Sequence, residues 1–249
     1  LVVKYGPQPA ARVLQLLVQA CGSLAEAHEA GLLHRDIKPP NLFACRAADE
    51  VDICKLLDFG IVQMAGDPIT PVSLPPVRPS RPIMETPKLT QIGAILGTPG
   101  FMAPEQILGM ALDGRADLYA LGCVAWWLLT GREVFAREGN EAKLLHRHIY
   151  DAAPPLQTPT WCPPELEQLL HSMLAKDASA RPATARELGA ALRAIEIPLE
   201  HAWTHERAVA WWRDYKPPEP AASLPSGEVQ RIMPGASAFD ATVVGQTIR

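Results

Sequence analysis

The stretch Gly31 to Asn41, GLLHRDIKPPN, sets a histidine, an arginine, an aspartate, a lysine and an asparagine between two apolar runs. Taken alone, His34-Arg35-Asp36 reads as a solvated loop. Its weight comes from its surroundings. Asn41 stands five residues after Asp36, with Lys38 between them. Asp58-Phe59-Gly60 follows seventeen residues after Asn41, directly behind the strand-like run Ile53 to Leu57. Further on come Gly97-Thr98-Pro99-Gly100-Phe101-Met102-Ala103-Pro104-Glu105 and a helical segment holding Asp117.

Working outward, Gln8 to Gly31 has helical periodicity. Val13, Leu16, Leu17, Ala20, Leu24 and Ala27 share one face, and Gly31 is placed to end the helix. Leu42 to Cys45 and Ile53 to Leu57 flank the polar turn Arg46 to Glu50 and predict a hairpin. Seven prolines between Asp67 and Pro87 forbid helix or central strand and predict an extended, mobile loop. Arg115 to Leu129 is almost wholly apolar after Asp117 and predicts a helix buried all round. Asn140 to Tyr150, Pro164 to Leu174 and Thr184 to Ile195 predict further helices, the last capped by Thr184. His201 to Tyr215 carries Trp203, Trp211 and Trp212 and is expected to pack back onto the domain as a helical extension over 198–216. Residues 217–249 are rich in Pro, Ala and Ser and are expected to be mostly disordered. The run His146-Arg147-His148 is read as exposed polar residues, and Trp126 and Trp127 as core.

Composition narrows the function. The chain has 249 residues, is 48% hydrophobic and 20% charged, and can bury a core. A net charge of −4 gives no electrostatic case for nucleic acid or an anionic membrane. Five scattered cysteines without a CxxC pair speak against zinc and for a reducing, cytoplasmic setting. The longest apolar run, Leu121 to Leu129, is too short to span a bilayer, so no membrane span is expected within the chain.

The ordered set HRDxxxxN, DFG and APE resembles the eukaryotic-type protein kinases over roughly residues 1–197. "HRDIKPPN", "GTPGFMAPEQ" and the tryptophan tail are similar to bacterial serine/threonine kinases. The fold class implied is α+β, mainly α: a large kinase lobe whose small β hairpin carries the catalytic and DFG loops. The implied activation segment is 58–105, with 67–87 as a proline-rich insertion. The resemblance implies ATP and Mg²⁺ as cofactors and protein Ser/Thr hydroxyls as acceptors. It makes Asp36 the residue that accepts or orients the hydroxyl proton, Asn41 and Asp58 the magnesium ligands, and Lys38 the contact to the transferred phosphate. Thr98 matches a threonine that hydrogen-bonds this Asp and Lys. Glu105 and Arg181 match a buried ion pair, and Asp117 the aspartate that holds the catalytic-loop backbone. His34 and Phe59, beside Gly60, match a column of contacts between lobes. Arg35 implies regulation by a phosphorylated activation-loop residue; Thr90 stands at that spacing, or is a plain loop threonine.

Upstream of His34 there is no glycine-rich loop, and Lys4 is the only lysine. The family places the nucleotide under a small lobe bearing such a loop and a strand lysine. The chain is therefore expected to be an N-terminally incomplete large lobe, inactive by itself. Two other classes stand beside this reading. One is a non-catalytic scaffold made of a truncated kinase lobe; the other is a small-molecule phosphotransferase of related fold, against which the Gly97 to Glu105 segment weighs.

Overall fold

The computed structural model describes residues 1–58, 63–64, 98–137, 140–216 and 240–243, with 63–64 and 240–243 as backbone only. Phe59, Gly60, Thr90, Gly97, the stretch 67–87 and most of the tail lie outside the described residues.

Eight helices appear among these residues: α1 Val2–Tyr5, α2 Ala10–Glu29, α3 Pro104–Ile107, α4 Gly114–Thr130, α5 Glu141–Tyr150, α6 Pro164–Met173, α7 Ala185–Arg193 and α8 His205–Asp214. Helix α2 starts two residues later than periodicity alone predicts, because Pro9 occupies its N-cap and disfavours helical backbone at Gln8. The Gln8 amide instead reaches across to the Leu128 carbonyl at 2.7 Å. Gly31 follows the helix with φ of 76°, the left-handed backbone that glycine adopts without cost.

Helix α4 is the central element. Asp113 caps it by accepting the Arg115 amide, and Gly131 closes it in the left-handed conformation. Its residues from Ala116 to Trp126 are all buried, while Trp127 is half-buried against the core. The core is formed where α2, α4, α6 and α7 meet, with Leu16, Leu17, Leu24, Leu121, Leu128, Leu166, Leu170 and Leu188 fully enclosed. Thr184 accepts the Glu187 amide, and Glu187 reaches back to the Ala183 amide, fixing the start of α7.

The hairpin is β2 Leu42–Ala47 against β3 Glu50–Leu56, in register Leu42 to Leu56 and Cys45 to Ile53. A bulge between Cys45 and Ala47 lets the strands run closer to the turn than the polar residues suggest. Backbone 240–243 forms β5 on the other side of β2, giving the order β3-β2-β5. A second pair joins β1 Leu32–Leu33 to β4 Gln63–Met64. No described helix is long and apolar enough to cross a membrane. The cysteines are free thiols. Burial pushes Cys21 and Cys54 up to about 12, which keeps them protonated and unreactive.

His148 corrects the sequence reading. His146 is exposed, but His148 is fully enclosed, because it points inward from α5 between Tyr119 and Phe135. The Tyr119 hydroxyl lies 3.0 Å from Nδ1, and the Lys176 ammonium caps the end of α5 through the carbonyls of Arg147 and His148. Burial, with the Lys176 charge adding to it, lowers the imidazole from 6.5 to about 3. A base lowered in the folded state contributes its full stability above pH 6.5 and loses it as pH falls toward 3. Equilibrium denaturation of wild type and His148→Gln checks this: the gap between them should be constant above pH 7 and should shrink or reverse by about 2–3 kcal/mol at pH 4.5. A pH-independent gap would show that His148 titrates normally.

Candidate active site

The loop between β1 and the 3-10 turn at Pro39–Asn41 is held from below by the first turn of α4. Asp117, 1% exposed, accepts the His34 amide at 2.9 Å and the Arg35 amide at 2.8 Å, one on each oxygen. His28, at the end of α2, sits 2.8 Å from the same carboxylate. The positive end of the α4 dipole favours a negative charge there. Arg35 takes a left-handed backbone with φ of 63°, which reverses the chain, and its carbonyl accepts a hydrogen bond from the Gln106 side chain through Nε2 at 2.8 Å. Neither His28 nor Gln106 carried a sequence cue, since these contacts span 89 and 71 residues.

Downstream of this turn the charged groups converge. Lys38 Nζ lies 2.7 Å from Asp36 Oδ2. Asn41 Nδ2 donates to the Asp36 carbonyl at 2.8 Å and to Oδ2 at 3.2 Å. Two donors thus occupy one carboxylate oxygen of Asp36. Asn41, itself buried, has its amide nitrogen committed to Asp36, and among the described residues its side-chain oxygen accepts no hydrogen bond.

The hairpin brings Asp58 to the same place. The Leu57 amide donates to the Asn41 carbonyl at 2.9 Å, and His34 Nε2 sits 2.9 Å from the Leu57 carbonyl. Leu57 is gripped on both sides, and Asp58 follows it exposed, with φ of 59°. His34 Nδ1 is turned toward the Asp36 amide at 3.4 Å, and the expected column of contacts with Phe59 falls on a residue outside the described ones.

Thr98 stands at the start of the 3-10 turn Pro99–Phe101. It is half-buried, its carbonyl accepts the Phe101 amide at 2.9 Å, and its hydroxyl makes no hydrogen bond to Asp36 or Lys38 among the described residues. Asp36 satisfies Lys38 directly instead. Below the platform, Arg181 grips Glu105 through both terminal nitrogens at 2.6 and 2.8 Å. Its remaining donors reach the carbonyls of Ala175, Arg115 and Lys176.

A family model described as the protein kinase domain matches residues 4–192. The chain belongs to the protein kinase family. Among its relatives, serine/threonine-protein kinase Pkn1 of Myxococcus xanthus is 38% identical over 196 residues, covering 78% of this chain and 25% of the relative. Serine/threonine-protein kinase PknD of Mycobacterium tuberculosis is 35% identical over 207 residues, covering 82% and 28%. The DNA damage-responsive serine/threonine-protein kinase RqkA of Deinococcus radiodurans is 30% identical over 244 residues, covering 96% and 33%. The chain thus spans between a quarter and a third of the length of these kinases. In kinase terms the described residues are mainly helical with small antiparallel sheets. The polar convergence lies between the end of the β2–β3 hairpin and the loop held by Asp117 of α4.

Proposed function

We propose that this chain is the large lobe of a bacterial-type serine/threonine protein kinase, which transfers the γ-phosphate of Mg-ATP to protein Ser/Thr hydroxyls. The observation that carries the reading is the convergence of Asp36, Lys38 and Asn41 in one hydrogen-bonded group, with Asp58 joined to it through Leu57.

The residues fit the cofactors. Magnesium needs only one or two protein oxygens, because it keeps water and phosphate oxygens as its other ligands. The Asn41 amide oxygen and the Asp58 carboxylate are such a pair, both hard donors. When bound, Mg-ATP supplies the phosphoryl group and the cation that neutralises its charge. The protein's part is positioning. Asp36 orients the acceptor hydroxyl and takes up its proton, with Asn41 and Lys38 fixing the rotamer of its carboxylate. Lys38, 2.7 Å from Asp36, neutralises negative charge between acceptor and phosphate. Glu105 and Arg181 hold up the peptide platform that follows Thr98.

A small lobe with a glycine-rich loop and a strand lysine would form the other wall of the nucleotide cleft. We assign this chain no phosphotransfer without it. A cytoplasmic setting suits five free thiols. Regulation is assigned to phosphorylation of Thr90 with Arg35 as its receptor.

Two assays test the reading. The chain alone should give no transfer from labelled ATP to a generic Ser/Thr protein substrate. The same chain behind a small lobe should transfer, and Asp36→Ala should cut the rate about a hundredfold or more. Transfer by the isolated chain that Asp36→Ala abolishes would sink the lobe assignment. Silence from the two-lobed protein would favour a scaffold.

A further inference from the structure

Outside the loop, a buried polar cluster joins α2, the hairpin and α8. Arg12 on α2 is fully enclosed and pairs with Asp52 on β3, which is 3% exposed. Asp52 collects four donors. Oδ1 accepts Arg12 Nη2 at 2.5 Å and Trp212 Nε1 at 2.8 Å; Oδ2 accepts Arg12 Nε at 3.0 Å and Trp203 Nε1 at 2.6 Å. The Arg12 guanidinium also lies 3.8 Å from the Trp211 ring centre and 4.9 Å from that of Trp203. The three tryptophans therefore converge on one ion pair.

A buried ion pair is an expensive way to fill a core, and an apolar replacement often does as well or better. What it adds is geometric definition, and here the geometry concerns the hairpin. Asp52 has φ of 56° inside a strand, a conformation that needs support from its surroundings. Gln19 completes that support. Its amide donates to the Asp52 carbonyl and its oxygen accepts the Cys54 amide, both at 2.9 Å, so the open edge of β3 is tied to α2. From Asp52 the strand runs straight to Leu56, and the next residue is the Leu57 held by Asn41 and His34. The other end of the extension is fastened to α1: the Lys216 carbonyl accepts Lys4 Nζ at 2.8 Å, and the Lys216 amide donates to the Tyr5 hydroxyl at 2.9 Å.

We infer that the tryptophan extension is a clamp: by holding Asp52 it fixes the hairpin that presents Asn41 and Asp58, so Arg12, Asp52, Trp203 and Trp212 are positioning residues for the metal-binding pair. The inference rests on the metal role of Asn41 and Asp58 given above.

The test is amide hydrogen exchange on the full 249-residue chain carrying Trp203→Phe and Trp212→Phe, which keep an aromatic ring at each position and remove the two N–H donors. The Leu57 and Cys54 amides should exchange at least about tenfold faster, while the Arg35 amide held by Asp117 keeps its wild-type rate. Unchanged hairpin exchange overturns the clamp. So does equal acceleration at Arg35, which would mean that the tryptophans only stabilise the whole domain. Should the double variant fail to fold, Trp203→Phe alone is read in the same way. Mg²⁺ titration followed at the Asn41 side-chain amide by NMR completes the test. The variant should bind at least about threefold more weakly than wild type. A loosened hairpin with unaltered Mg²⁺ affinity overturns the positioning role, and no Mg²⁺ response in wild type overturns the metal reading separately.

Discussion

Asp117→Asn should lower the stability of this chain by about 3–5 kcal/mol, although it exchanges one heavy atom and changes almost no volume. The carboxylate accepts the His34 and Arg35 amides on separate oxygens, with His28 as a third neighbour. An asparagine offers one accepting oxygen. Its NH₂ group must then face one of the two loop amides, donor against donor, at a site that is 1% exposed. Hydrogen bonds to a charged acceptor are worth about 1.5–3 kcal/mol each, and a buried donor left without a partner adds its own desolvation cost. The favourable alignment with the α4 dipole is also lost. Urea denaturation should show a lower midpoint at unchanged slope, and exchange at the His34 and Arg35 amides should accelerate. A loss below about 1 kcal/mol would mean that the loop holds its shape without Asp117.

Arg181→Met should cost a similar amount, about 3–5 kcal/mol, for a different reason. The Arg181 side chain is fully enclosed, and Glu105 opposite it is 12% exposed. Methionine fills part of the volume, yet it strands the Glu105 carboxylate and removes the donors to the carbonyls of Ala175, Arg115 and Lys176. Removing one partner of a buried pair is worse than removing both. The double variant Glu105→Gln with Arg181→Met should therefore be more stable than the sum of the single losses, by about 1–3 kcal/mol in a double-mutant cycle. Strict additivity would show that the two residues do not act as a pair.

Much of this architecture was legible in the sequence. Val13, Leu16, Leu17 and Leu24 repeat at helical spacing, and α2 buries that face. The apolar run after Asp117 became the enclosed α4, and Thr184 caps α7 as its residue type suggests. Local chemistry decides these features, because caps, periodicity and turn residues act over a few positions. The order of HRDxxxxN and APE was also enough to name the family before any geometry was known. His148 shows where local reasoning stops. Two positions from His146 on the same helix, it faces inward, and only the arrival of Tyr119 and Phe135 makes an enclosed neutral imidazole the stable state.

The sequence alone determined the longer helices, the hairpin, the family and the polar residues of the loop, since each rests on spacing within one segment. The short helices α1 and α3 carried no such pattern. Only the tertiary structure decided that Leu57 is gripped from both sides and that Gln106 and His28 serve the loop. It also turned Asp52, in sequence an ordinary charged residue near a hairpin turn, into the anchor of two tryptophans and an arginine. Its partners lie 40, 151 and 160 positions away. A carboxylate is stable in that interior because every oxygen finds its donors there, and folding of distant segments supplies those donors together.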